Sequence, residues 1–94
     1  KKQPFFTKVL KKRISGGLFE VKLDLEEGII KNLTIQGDFF DKADLTHFEN
    51  AFVEIPYEKA DIQNVLQHHH IESYILDAKT EEFKELLFEG ILID

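Results

Sequence analysis

The chain has 94 residues, 43% of them hydrophobic and 32% charged, and a formal net charge of −6. That length argues against two domains and that composition against intrinsic disorder, while the acidic balance argues against nucleic acid, whose phosphates require clustered Lys and Arg. There is no cysteine, which excludes a disulfide scaffold, thiol catalysis and a thiolate metal site.

Residues 1–7 read as a linker or an arriving strand, because Pro4 breaks local structure and Lys1-Lys2 is solvated. Residues 8–94 are expected to form a single domain. From 8 to 14 the pattern is extended and ends at the turn signal Ser15-Gly16-Gly17. From 18 to 25 the alternation is clear: Phe19, Val21, Leu23 and Leu25 point one way, and Glu20, Lys22 and Asp24 the other. Period two with one polar face predicts a half-buried strand in an antiparallel sheet. Glu26-Glu27-Gly28 is the next turn, and 29–36 the third strand, with Ile29, Leu33 and Ile35 on one face and Lys31 interrupting it. Connections this short join antiparallel neighbours, so the strands form a meander.

Gly37-Asp38-Phe39-Phe40 ends the sheet, and its two Phe are expected to enter or cover the core. The period then becomes helical. Asp44 is a candidate N-cap, with Leu45, Phe48 and Phe52 as the stripe of a short helix that Pro56 stops. A second helix starts near Tyr57-Glu58, carries Ile62, Val65 and Leu66, and frays at 68–70. Residues 71–76 are apolar and too few to classify. Thr80 is the expected cap of a third helix, with Phe83, Leu86 and Leu87 inward and Gly90 as its C′ residue. Ile91-Leu92-Ile93 is an apolar tail. The fold class is therefore α+β: a three-stranded antiparallel meander followed by about three helices packed on one face. With nine Phe, no Trp and no Met, Phe is expected to dominate the core.

Chemistry has few footholds. The triplet His68-His69-His70 is a poor metal site, because adjacent helical residues diverge by about 100°. Arg13-Ile14-Ser15-Gly16-Gly17 is rich in Gly, but it joins two strands and does not open a helix, so a hairpin turn is expected in place of a phosphate loop. Counting a calcium loop from Asp38 puts Ala43 where the Gly is required, so the acids read as turn and cap residues. No Ser-His-Asp arrangement is visible. Catalytic, cofactor-binding and metal residues are accordingly expected to be absent. No apolar run approaches the roughly 20 residues of a membrane span. Residues 1–6 lack the apolar core of a signal peptide. No membrane partner and a cytoplasmic location are expected. A chain that begins with Lys is also expected to be a domain of a longer protein.

The block Gly16-Gly17, Leu18-Phe19-Glu20-Val21-Lys22-Leu23-Asp24, Gly28-Ile29-Ile30-Lys31, Leu33-Thr34-Ile35-Gln36-Gly37-Asp38-Phe39-Phe40, with a short helix from Asp44 and a late Tyr74, resembles the C-terminal accessory domain of lipoate-protein ligases. The resemblance covers roughly residues 8–88. It implies an accessory domain that closes over a separate catalytic domain. That partner, in the same chain or a separate subunit, activates lipoate with ATP and transfers the lipoyl group to lysines of acceptor domains. ATP, Mg and lipoate are expected on that absent catalytic domain. The catalytic Lys belongs there too. Arg13-Ile14-Ser15-Gly16-Gly17 is similar to part of the Arg-Arg-x-Ser-Gly-Gly-Gly loop of the catalytic domain, but Leu18 stands at the third Gly, so no catalytic residue is carried over. The candidate interface is Lys11, Lys12 and Arg13 on the basic strand, with Gly37, Asp38, Phe39 and Phe40 at the corner. The fold is also similar to iron–sulfur scaffolds, a role closed to a chain without Cys. The alternative is a stand-alone protein-interaction module, with the apolar tail or the helices as its surface.

Overall fold

A computed structural model describes residues 5–92. The strands β1 (Phe5–Ile14), β2 (Gly17–Glu26) and β3 (Ile29–Asp38) form one antiparallel sheet in the order β1-β2-β3. Three helices follow: α1 (Leu45–Asn50), α2 (Lys59–His68) and α3 (Thr80–Leu92), with a 3₁₀ turn at Ile71–Ser73. This is the α+β architecture read from the sequence. The first four residues and the last two lie outside the description, and with them most of the expected linker and the end of the apolar tail. Phe5 and Thr7 belong to β1.

The alternation in β2 sets the core. Phe19, Val21, Leu23 and Leu25 are buried together with Phe48 and Phe52, Ile62 and Leu66, and Phe83, Leu86 and Leu87. All three helices thus cover one face of the sheet. Four Phe, at 19, 48, 52 and 83, are wholly inaccessible, as the Phe-rich composition predicts.

The third strand differs from its expected facing. Register slips between Asp24 and Leu25, so that Leu25 pairs Ile30 while Asp24 pairs Asn32, and Lys31 is left as the extra residue of a β-bulge. The bulge reverses the parity: Ile30 is buried and Ile29 only half-buried. It also brings the outer edge of β3 against residues 54–57. Ile30 N–H donates to Ile55 O (2.9 Å), Glu54 N–H to Ile30 O (2.7 Å) and Tyr57 N–H to Gly28 O (2.8 Å). Further along that edge, Ile35 N–H donates to the Glu49 carboxylate of α1 (2.9 Å). Backbone groups that an edge strand would leave open are thereby satisfied.

Two helix ends also differ. Asp44 caps α1 as expected, accepting from Thr46 N–H at 2.9 Å. Thr80, by contrast, does not cap α3; it is the first helical residue. Its N–H donates to Glu72 (2.8 Å), and its hydroxyl donates to the same carboxylate and accepts from Ile71 N–H. An acid from the 3₁₀ turn thus supplies the acceptor and the negative charge that the N-terminus of α3 favours.

Gly90 is not a C′ residue, because α3 runs on to Leu92. It is a close-approach glycine: a Cβ there would lie 2.2 Å from Tyr57 Oη and 2.9 Å from a Leu10 methyl. Through that gap Tyr57 Oη reaches Leu87 O at 2.6 Å, and Lys8 Nζ on β1 reaches Gly90 O at 2.6 Å. Burial pushes the Tyr57 phenol well above its usual range. Ile91, in the expected tail, packs against the core.

The predicted consequence is a double-mutant cycle. Gly90→Ala should destabilise by about 1–3 kcal/mol, the usual range for overpacking. In a Tyr57→Phe background, where the clashing oxygen is gone, urea unfolding should show a smaller cost for the same substitution.

Candidate functional site

Both segments picked from the sequence lie at one end of the sheet. The β1–β2 turn and the end of β3 meet there, since Ile14 pairs Gly17, Leu18 pairs Asp38, and Arg13 pairs Leu18. Arg13 and Asp38 therefore share a row with β2 between them, roughly 10 Å apart by strand spacing. The loop before α3 closes this end: a Cβ on Gly16 would meet the Ala78 backbone at 3.2 Å.

The pleat divides the basic strand between the two faces of the sheet. Lys12 lies on the helix side, where its ammonium meets Glu89 at 2.6 Å, and that hydrogen bond and charge hold it above the ordinary Lys value. Lys11 and Arg13 face the open side of the sheet, with Lys11 opposite Glu20. The pleat alternates side chains between faces, so neighbours in sequence separate in space.

Gly37 is required where it stands. Its φ is +151°, and a Cβ would fall 1.9 Å from Leu18 O, a conformation and an approach open only to glycine. Over this bare position Phe39 stacks on Phe19 at 4.9 Å between ring centroids. Phe39 is half-buried and packs on the core. Phe40 does not enter or cover the core; it is 78% exposed. The reason is a short antiparallel bridge between Asp41 and Ile75, made by Lys42 N–H to Tyr74 O (2.6 Å) and Leu76 N–H to Phe40 O (2.9 Å). It turns the side chain at 40 outward while Ile75 points in. Leu76, which the sequence reading left unassigned within 71–76, lies directly opposite Phe40 and is 46% exposed.

The Gly-rich turn holds an internal anion, the Glu82 carboxylate. Ser15 N–H donates to one oxygen of Glu82 (2.7 Å) and Ser15 Oγ–H to the other (2.9 Å). These bonds, the backbone one first, hold the Glu82 carboxyl below the ordinary Glu value. Glu72 is also held low: partial burial opposes its charge, but the bonds from Thr80 outweigh that. Ser15 thus clamps the turn to α3 through Glu82.

The His triplet is split by the end of α2. His68 closes the helix with its Nδ1 3.1 Å from Asn64 O, and His69 and His70 are extended. His47 and His69 rings come to 5.8 Å. Among the described residues no group of three or more His, Cys, Asp or Glu is placed to hold a metal. The groove between the end of α2 and the start of α3, lined by Leu66, His70, Glu72 and Thr80, is open to solvent. No described helix is long and apolar enough to cross a membrane.

The sequence profile of the bacterial lipoate protein ligase C-terminus matches residues 3–87. The chain belongs to that family. Among similar proteins, a lipoate–protein ligase of Streptococcus pyogenes is 33% identical over 76 residues, 81% of this chain and 22% of that protein. The lipoate-protein ligase LplJ of Bacillus subtilis is 30% identical over 87 residues, 93% of this chain and 26% of that protein. Lipoate–protein ligase 1 of Staphylococcus aureus is 29% identical over 75 residues, 80% of this chain and 23% of its own length. This lipoate ligase C-terminal domain thus spans about a quarter of the length of the relatives it matches.

The clamps on this domain carry a pH signature. A carboxyl whose folded pKa is depressed adds stability above its unfolded value, and that stability is lost as pH falls through the folded pKa. Unfolding free energy should therefore drop as pH falls below about 4, near the ordinary Glu value. Glu72→Gln with Glu82→Gln should be less stable at pH 7 and show a flatter fall in acid, measured by urea unfolding at each pH.

Proposed function

We propose that this chain is the accessory domain of a lipoate-protein ligase, inactive alone, which closes over a catalytic domain and supports both of its half-reactions. In the first, a lipoate oxygen attacks the α-phosphate of ATP and pyrophosphate leaves. In the second, an acceptor lysine amine attacks the acyl carbon of the lipoyl-adenylate and AMP leaves. The mixed anhydride between them is labile to water, and a lid that excludes water protects it. Lipoate, ATP and Mg sit on the catalytic domain, and the acceptor domains meet this chain only indirectly. A cytoplasmic setting supplies the ATP.

The single observation that carries this reading is the family match over residues 3–87 by a chain that spans only 22–26% of its relatives' length. A lipoate ligase of that length has some three-quarters of its chain in which to house the chemistry. The candidate interface remains the sheet end that carries Arg13 and residues 37–40, with Lys11 beside it on the open face; Lys12 is engaged with Glu89.

The test is adenylation in two parts. The chain is mixed with the catalytic domain of its own ligase, and pyrophosphate release is followed with lipoate and ATP. A raised rate of adenylate formation is expected from the mixture, and none from this chain alone. Lipoyl-adenylate formed by this chain unaided, or no stimulation of its natural partner, would overturn the division of labour.

A further inference from the structure

The outward side of the bridge between residues 40–42 and 74–76 presents two apolar side chains to solvent. Phe40 and Leu76 are paired across it and exposed by 78% and 46%. Period two in an extended bridge sends both to the side opposite Ile75, which is wholly buried. The backbone beneath them is fixed from both strands by the two bridge hydrogen bonds, and on the flank by the Phe39–Phe19 stack. A large aromatic ring on a fixed backbone loses little further freedom when it docks, which is the property of an interface anchor. Asp41 stands opposite Ile75 in the bridge and so lies on the other side from the pair; the surface that matches Phe40 and Leu76 is an apolar socket.

We propose that Phe40, backed by Leu76, is the anchor by which this chain seats in an apolar socket on the catalytic domain of its ligase. This rests on the accessory role proposed above. The length of the relatives supplies the occupant: about three-quarters of a ligase of this family lies outside a chain spanning 22–26% of it. Among the residues whose burial is described, two other apolar side chains are comparably exposed, Phe5 at 57% and Val9 at 53%, but both lie on β1, away from the corner. They serve as the control surface.

The test uses the intact ligase in four forms: wild type, Phe40→Ser with Leu76→Ser, Val9→Ser, and a truncation that removes this chain. Adenylation rate is the readout, and thermal melting of the isolated chain with each substitution checks folding. The expected result is that truncation slows adenylation, that the double variant loses at least tenfold and approaches the truncation, and that Val9→Ser leaves the rate within twofold. The melting temperature should fall only a little, since Phe40 is mostly and Leu76 about half exposed. If truncation slows the reaction and the double variant does not, the anchor is overturned and the accessory role stands. If truncation has no effect, both are overturned. If the isolated chain sediments as a dimer that Phe40→Ser dissolves, the occupant is a second copy and the proposed anchor is overturned.

Discussion

Phe83 sits where the sheet, the first helix and the last helix meet. Its ring lies 6.1 Å from Phe19, 5.7 Å from Phe48 and 6.5 Å from Phe52 between centroids, and it is wholly buried. Removing such a ring typically costs about 3–5 kcal/mol, against about 5–15 kcal/mol for a whole domain. The corner depends on it by a short chain of contacts. Phe83 backs Phe19, Phe19 carries Phe39, and Phe39 fixes the backbone from which Phe40 projects. Next to Phe83 on α3, Glu82 ties down the β1–β2 turn at the same end of the sheet. One aromatic cluster and one carboxylate therefore hold both the fold and the surface that the fold presents.

The two edges of the sheet are treated differently. Beside β3, residues 54–57 and Glu49 take up backbone groups left by the meander. The Lys31–Glu54 ion pair at 3.0 Å adds little there, being exposed on both sides. The outer edge of β1 has no strand beside it among the described residues, and it carries Lys8, Lys11, Lys12 and Arg13. Lysines along an edge are a recognised means of discouraging further pairing. The basic cluster thus has a use that involves neither a phosphate nor an acidic partner.

Much of the fold was legible because it rests on local periodicity. The alternation in 18–25 and the stripes at Phe48, Ile62 and Phe83 each need only near neighbours to be read. What was missed depends on contacts distant in sequence. Ile29-Ile30-Lys31 offers apolar residues to both faces, and only pairing with β2 decides that Lys31 bulges and Ile30 turns in. Gly90 reads as a helix stop until Tyr57, 33 positions earlier in the sequence, is found against it. Thr80 has the right chemistry for a cap, but Glu72 stands closer to the need. At the candidate site, residues 37–40 were legible as a turn with two aromatics. Which Phe faces out was settled by the bridge to 74–76, a segment too short to classify, and Leu76 was missed with it. Of Lys11, Lys12 and Arg13, the pleat sends Lys12 to the helix side and leaves the other two together on the open face.

The most direct test of the central claim, that this chain works by docking its corner on a catalytic domain, is an NMR titration. The 15N-labelled chain would be titrated with the unlabelled catalytic domain of its ligase in the presence of lipoate and ATP. The account predicts that amide shifts concentrate at residues 37–42 and 74–78 and spare the middle of the open sheet face around Lys22 and Thr34. Shifts confined to that face or to α2, or none at all with the natural partner, would contradict it.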